Sequence, residues 1–182
     1  MSLAPVDSHP YTIFVTNLFD MPHYVREFSP ARLVSIIQPE LQPARPAEIE
    51  EDFHLRISVH DIIEPVPEQI LLETPHITKL LSFIDAWDPS AGALLTHCYA
   101  GVSRSTATAL IAAYMKTGDA VASAKSLRRA APHAIPNLRL IELADRLLGC
   151  QGDLITAREA MGGASACVEA LTILRLTNAN SG

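Results

Sequence analysis

The chain has 182 residues, 48% of them apolar and 19% charged, with a net charge of −6. These proportions exclude an intrinsically disordered chain, and the length supplies one domain with a substantial core. The acidic balance argues against a nucleic-acid or anionic-membrane partner, since both require a basic face. Three cysteines, Cys98, Cys150 and Cys167, are too few and oddly numbered for a disulfide framework. The sequence does not open on a basic segment followed by an apolar core. No run reaches the roughly eighteen apolar residues of a membrane span. The expectation is a soluble, cytoplasmic protein kept reduced.

Taken in chain order, Tyr11–Phe19 is β-branched and aromatic and predicts a strand. Arg32–Ile37 predicts a second, more buried one. Residues 38–52 carry prolines and then acids, as an exposed loop or a ragged helix does. Phe53–Val59 alternates, with Phe53, Leu55, Ile57 and Val59 on one face and His54, Arg56, Ser58 and His60 on the other. His54 and His60 do not form a metal pair, because six strand residues span roughly 20 Å; they read as partly exposed polar-face residues.

Thr74-Pro75 reads as a cap and first helical position, followed by an amphipathic helix to Trp87. Gly92–Thr96 reads as a strand and Ala107–Met115 as a helix. Further helices are expected over Asp119–Ala131, over a segment capped by Asn137 and running to Leu148, and over Asp153–Met161. Arg128 and Arg129 read as a solvated helix end. Ala164–Leu176 reads as extended or helical, and the stretch from Thr177 as a loose tail. Strands alternating with helices predict an α/β fold with a central, largely parallel sheet of about 4–5 strands in a single domain. Its core covers about residues 9–149, with 150–182 as an extension of unassigned structure.

The chemistry concentrates in His97-Cys98-Tyr99-Ala100-Gly101-Val102-Ser103-Arg104-Ser105, a short loop between a strand and a helix. A loop entering a helix N-terminus offers unpaired N–H groups and the positive end of the dipole. Curled around one point, the amides of Tyr99, Ala100, Gly101, Val102, Ser103 and Arg104 form a nest for a tetrahedral oxyanion. The same field favours a thiolate at Cys98. The Arg104 guanidinium is a planar fork suited to two phosphoryl oxygens at once, and the Ser105 hydroxyl is placed to donate to the sulfur. Nucleophile, anion nest and bidentate cation together describe covalent phosphoryl transfer that asks for no metal or other cofactor. A buried structural cysteine before an ordinary helical turn leaves Gly101 and Arg104 unexplained.

The segment HCYAGVSRST resembles the signature of the cysteine-dependent protein tyrosine phosphatases, closest to the dual-specificity-like branch. The likeness is sharp over 92–115 and looser over 55–148. It implies Cys98 as nucleophile, Arg104 as phosphate-binding arginine, Ser105 as partner of the leaving thiolate and His97 as a structural residue that orders the loop. A phosphoester also needs a proton for its leaving oxygen. Asp61 follows the Phe53–Val59 strand, and Val59-His60-Asp61 resembles the family's acid-bearing Val-x-Asp.

Asp61 precedes Cys98 by 37 residues, a longer interval than the resemblance implies, so Glu64 stands as the alternative acid. Asp88 precedes the signature strand and is expected at the opposite end of the sheet. Tyr99 and Val102 are placed to line the pocket rim. The resemblance implies a phosphorylated protein as substrate. A nucleotide, sugar or lipid phosphate is the alternative, and a phosphate-binding module without turnover a further one. Inorganic phosphate or sulfate is expected to fit the loop, with neither nucleic acid nor membrane as partner.

Overall fold

The computed structural model describes residues 11–165 and 171–176; Cys167 and the expected tail from Thr177 lie outside the described residues. Five strands, β1 (Tyr11–Thr16), β2 (Arg32–Ile37), β3 (His54–Ser58), β4 (Leu94–His97) and β5 (Leu171–Leu176), form one sheet in the order β3-β2-β4-β1-β5. The first four run parallel, and β5 closes the edge antiparallel to β1. Six helices cover it: α1 (Met21–Phe28), α2 (Thr74–Asp85), α3 (Arg104–Thr117), α4 (Ala120–Ala130), α5 (Leu138–Leu148) and α6 (Asp153–Ala160).

Period-2 alternation divides the core in two. Ile13, Val15, Val34, Ile36, Ile57 and Leu94 face the large core under α2 to α6, while Phe14, Leu33 and Leu95 meet Met21 and Val25 of α1 and Ile49. Helix α3 is buried from Arg104 to Ala113. Its alanines (Ala107, Ala109, Ala112, Ala113) let the neighbouring elements approach closely and place its N-terminus at the C-terminal edge of the sheet. All four parallel strands end at that edge. In open parallel sheets this is where ligands bind.

Several local expectations change. β1 stops at Thr16, and Phe19 is 72% exposed beyond it. The unforeseen helix α1 follows, with Pro22 in its first turn. Helix α2 is capped by Glu73, not Thr74, through a reciprocal exchange of side-chain-to-backbone bonds with His76. Ala164–Leu176 contains an extended strand, because β5 finds a partner for its whole length in β1.

Phe53 lies outside β3 and is 40% exposed, whereas His54 is only 8% exposed and turns toward Ser35. This reverses the polar-face reading of His54. Arg128 is not a solvated helix end: it donates to the carbonyls of Met161, Pro132, Ala134 and Gly162 at 2.7–3.2 Å, tying α4 to the segments flanking α5 and α6.

Trp87, 2% exposed, seals the far edge of the sheet, with its indole N–H donating to Gly92 O at 2.9 Å and Lys116 Nζ 5.5 Å from its ring centroid. Trp87→Ala is expected to destabilise by about 3–5 kcal/mol, measured as a lower urea midpoint at unchanged slope.

Candidate active site

β4 ends at His97, the loop runs from Cys98 to Ser103, and α3 begins at Arg104. The loop is held open from outside. Leu18 N–H donates to Tyr99 O at 3.1 Å, Ile135 N–H to Val102 O at 2.9 Å and Asn137 N–H to Ser103 O at 3.2 Å. Among the described residues, no acceptor takes the N–H of Tyr99, Ala100, Gly101, Val102 or Ser103. Gly101 sits at φ +74°, and a Cβ there would meet Thr16 C and O at 3.1 Å. Left-handed backbone and contact with β1 thus both select glycine.

The Cys98 thiol is 2% exposed, with its Sγ 3.1 Å from Ser105 Oγ. Arg104 is 4% exposed and reaches the ends of β2 and β3. Its Nη1 donates to Val59 O at 2.7 Å and to Gln38 Oε1 at 3.1 Å, while its buried Nε has no hydrogen-bond partner. Asp61 comes to the same place despite its distance in sequence. Its Oδ1 accepts from Ser103 Oγ at 2.7 Å and Asn137 Nδ2 at 2.8 Å, and its Oδ2 lies 3.9 Å from Arg104 Nε.

Glu64 is exposed and lines, with Asp61, Ser103, Ile135 and Asn137, an adjoining groove of about 610 Å³. Asp88 is at the other edge, where it caps a turn through Ser90; those two hydrogen bonds hold its carboxyl below the usual range. Tyr99 is 45% exposed on the rim, edge-on to Phe19 at 5.7 Å. Val102 is half-buried.

Four residues join the site that sequence reasoning did not assign to it. Gln38 directly follows β2, and the rule that strand C-termini bind ligands could have flagged it. Asn137 uses its side-chain oxygen to cap α5, accepting from Leu140 N–H at 3.0 Å, which leaves its amide to hold Asp61. Ser35 and His54 reach His97 from below: Ser35 Oγ lies 2.6 Å from His97 Nε2 and 2.8 Å from His54 Nε2, and His97 Nδ1 is 3.2 Å from Cys98 O. No local pattern announces that pair.

Burial pushes His97 down to about 4, against the Cys98 carbonyl, which raises it, and with help from Arg104. Burial likewise pushes His54 to about 4, aided by Arg56, His97 and Arg45.

No protein-family model matches the sequence, and no curated protein matches it. Solved structures share its fold. DUSP15 is 23% identical, with 84% of this chain and 94% of that one covered and a TM-score of 0.57. A mouse putative dual specificity phosphatase complexed with zinc tungstate is 18% identical, covering 84% and 97%, with a TM-score of 0.58. The Cydia pomonella PTP-2 phosphatase is 20% identical, covering 74% and 84%, with a TM-score of 0.56. The chain therefore has the fold of the dual-specificity and tyrosine phosphatases.

Two predictions follow from this geometry. Gly101→Ala forces a left-handed alanine against Thr16 and is expected to lower stability by about 2 kcal/mol, read by urea unfolding. The histidines give a pH dependence of definite sign. The unfolded chain takes up protons as pH falls through about 6.5, whereas folded His54 and His97 do so only near 4. Their contribution is therefore complete above about 6.5, lost as pH falls to about 4, and level below. Each accounts for about 2–3 kcal/mol of that loss. Urea titrations at pH 7 and 4.5 measure it, and His54→Gln should make the decline shallower.

Proposed function

We propose that the chain is a metal-independent phosphomonoesterase working through a phosphocysteine at Cys98. One observation carries the reading: a buried guanidinium whose Nε lacks a hydrogen-bond partner, directly following a loop in which five amides meet no acceptor among the described residues. A buried cation is costly unless paired, and Asp61 at 3.9 Å is beyond hydrogen-bond reach. A tetrahedral dianion satisfies both sets of donors. The mouse structure of the same fold, complexed with zinc tungstate, supports an oxyanion as the ligand.

The Cys98 thiolate attacks phosphorus, forming the S–P bond as the ester P–O bond breaks, while the loop amides and Arg104 hold the equatorial oxygens. Asp61 gives its proton to the leaving oxygen. In this scheme Oδ2 is the oxygen that passes the proton on, since Oδ1 already accepts two hydrogen bonds. Water then attacks phosphorus and returns a proton to Asp61. The S–P bond breaks, and Ser105 Oγ–H stabilises the departing thiolate. His97 orders the loop. The proposed substrate is a phosphorylated tyrosine, serine or threonine of a protein, with the aromatic rim of Phe19 and Tyr99 accommodating an apolar leaving group. A nucleotide, sugar or lipid phosphate is the alternative for the same chemistry.

The test is hydrolysis of p-nitrophenyl phosphate with excess chelator. Cys98→Ser should abolish it, and Arg104→Lys should lower kcat/KM roughly 10²–10³-fold. Asp61→Asn should cost on the order of 10²-fold for phenyl phosphate and less for p-nitrophenyl phosphate, whose leaving group needs less protonation. The same leaving-group dependence in Glu64→Gln, and not in Asp61→Asn, would transfer the acid role. A wild type that binds tungstate yet turns nothing over would make the protein a phosphate-binding module.

A further inference from the structure

Three polar side chains on three adjacent strands form a chain inside the sheet. His97 of β4 and Ser35 of β2 are each 0% exposed, and His54 of β3 is 8% exposed. The direction of every proton in this chain can be deduced. Cys98 O can only accept, so the 3.2 Å contact places a hydrogen on His97 Nδ1. The neutral ring then has its lone pair at Nε2, where the Ser35 hydroxyl, 2.6 Å away, donates its one hydrogen. Ser35 Oγ must in turn accept from His54 Nε2–H at 2.8 Å. What remains is the lone pair on His54 Nδ1, which is buried without a partner.

The reversed chain is worse at both ends. It faces the His97 Nδ1 lone pair against the Cys98 carbonyl and strands an N–H, not a lone pair, at His54 Nδ1. Among backbone groups, orphaned buried N–H donors are the rarer kind.

We propose that Ser35 and His54 are positioning residues that hold His97 in the Nδ1–H tautomer and thereby set the orientation of the Cys98–Tyr99 peptide. The link is covalent geometry. In a planar trans peptide the C=O and the following N–H point in opposite directions. Tying Cys98 O to His97 turns the Tyr99 N–H away from His97, as one of the loop's free donors. Losing the chain lets this peptide turn over, so that His97 Nδ1 accepts from the Tyr99 N–H and the loop loses one amide. The inference rests on the oxyanion-binding reading of that loop.

The test is made on the whole chain labelled with ¹⁵N-histidine, by long-range proton–nitrogen correlation at pH 7. Wild type should show His97 protonated at Nδ1 and His54 at Nε2. Ser35→Ala and His54→Leu should give His97 a mixture of tautomers, and Ser35→Ala should bind tungstate about tenfold more weakly. A proton on His97 Nε2 in the wild type overturns the proposal, and that measurement needs no variant to fold. Tungstate bound by Ser35→Ala as tightly as by wild type overturns it as well. A wild type that does not bind tungstate at all defeats the oxyanion reading, while the tautomer pattern still decides the chain.

Discussion

The site depends on a buried guanidinium. Arg104 is the first residue of a helix hidden through its first ten residues, and its side chain is directed to the neighbouring strand ends. There its Nη1 joins the end of β2 through Gln38 to the end of β3 through Val59, and its Nε looks toward Asp61. Desolvating that charge costs several kcal/mol before pairing. The carbonyl, the amide oxygen and the nearby carboxylate offset this, while Nε keeps no hydrogen-bond partner. On the proposed reading, an anion in the loop would supply the balance, local to a chain of net charge −6.

Further local costs lie close to the same point. The left-handed Gly101 pressed on Thr16, five amides without acceptors, and a histidine lone pair buried without a donor all lie in the loop or in the chain beneath it. The two hydrophobic cores on either side of the sheet support this concentration of unsatisfied groups. A fold carries such unsatisfied groups where function requires them and compensates elsewhere.

The candidate loop itself was legible because all its parts are local. Strand, cysteine, glycine, arginine and helix lie within a dozen residues, so their spacing alone prescribes the nest. Asp61 was legible as a candidate from its place after a strand, but Glu64 competed because the interval to Cys98 is long. The fold separates them through Ser103 and Asn137, which both donate to Asp61 Oδ1, while Glu64 remains exposed in the groove. Asn137 was visible only as a helix cap; its second role arises because α5 starts beside the loop. His54 was misread because alternation assigns it to the polar face, and alternation knows nothing of a serine on the neighbouring strand.

The sequence by itself determined the α/β class, the sheet edge where ligands gather, and the identity of the loop that holds Cys98 and Arg104. Each of these follows from period, capping and short-range spacing. Tertiary structure alone decided which carboxylate meets the loop, which carbonyls its arginine touches, and how Ser35 and His54 support His97. Those contacts join residues 19 to 76 positions apart. They are set by strand register and helix placement, which depend on the packing of the whole core.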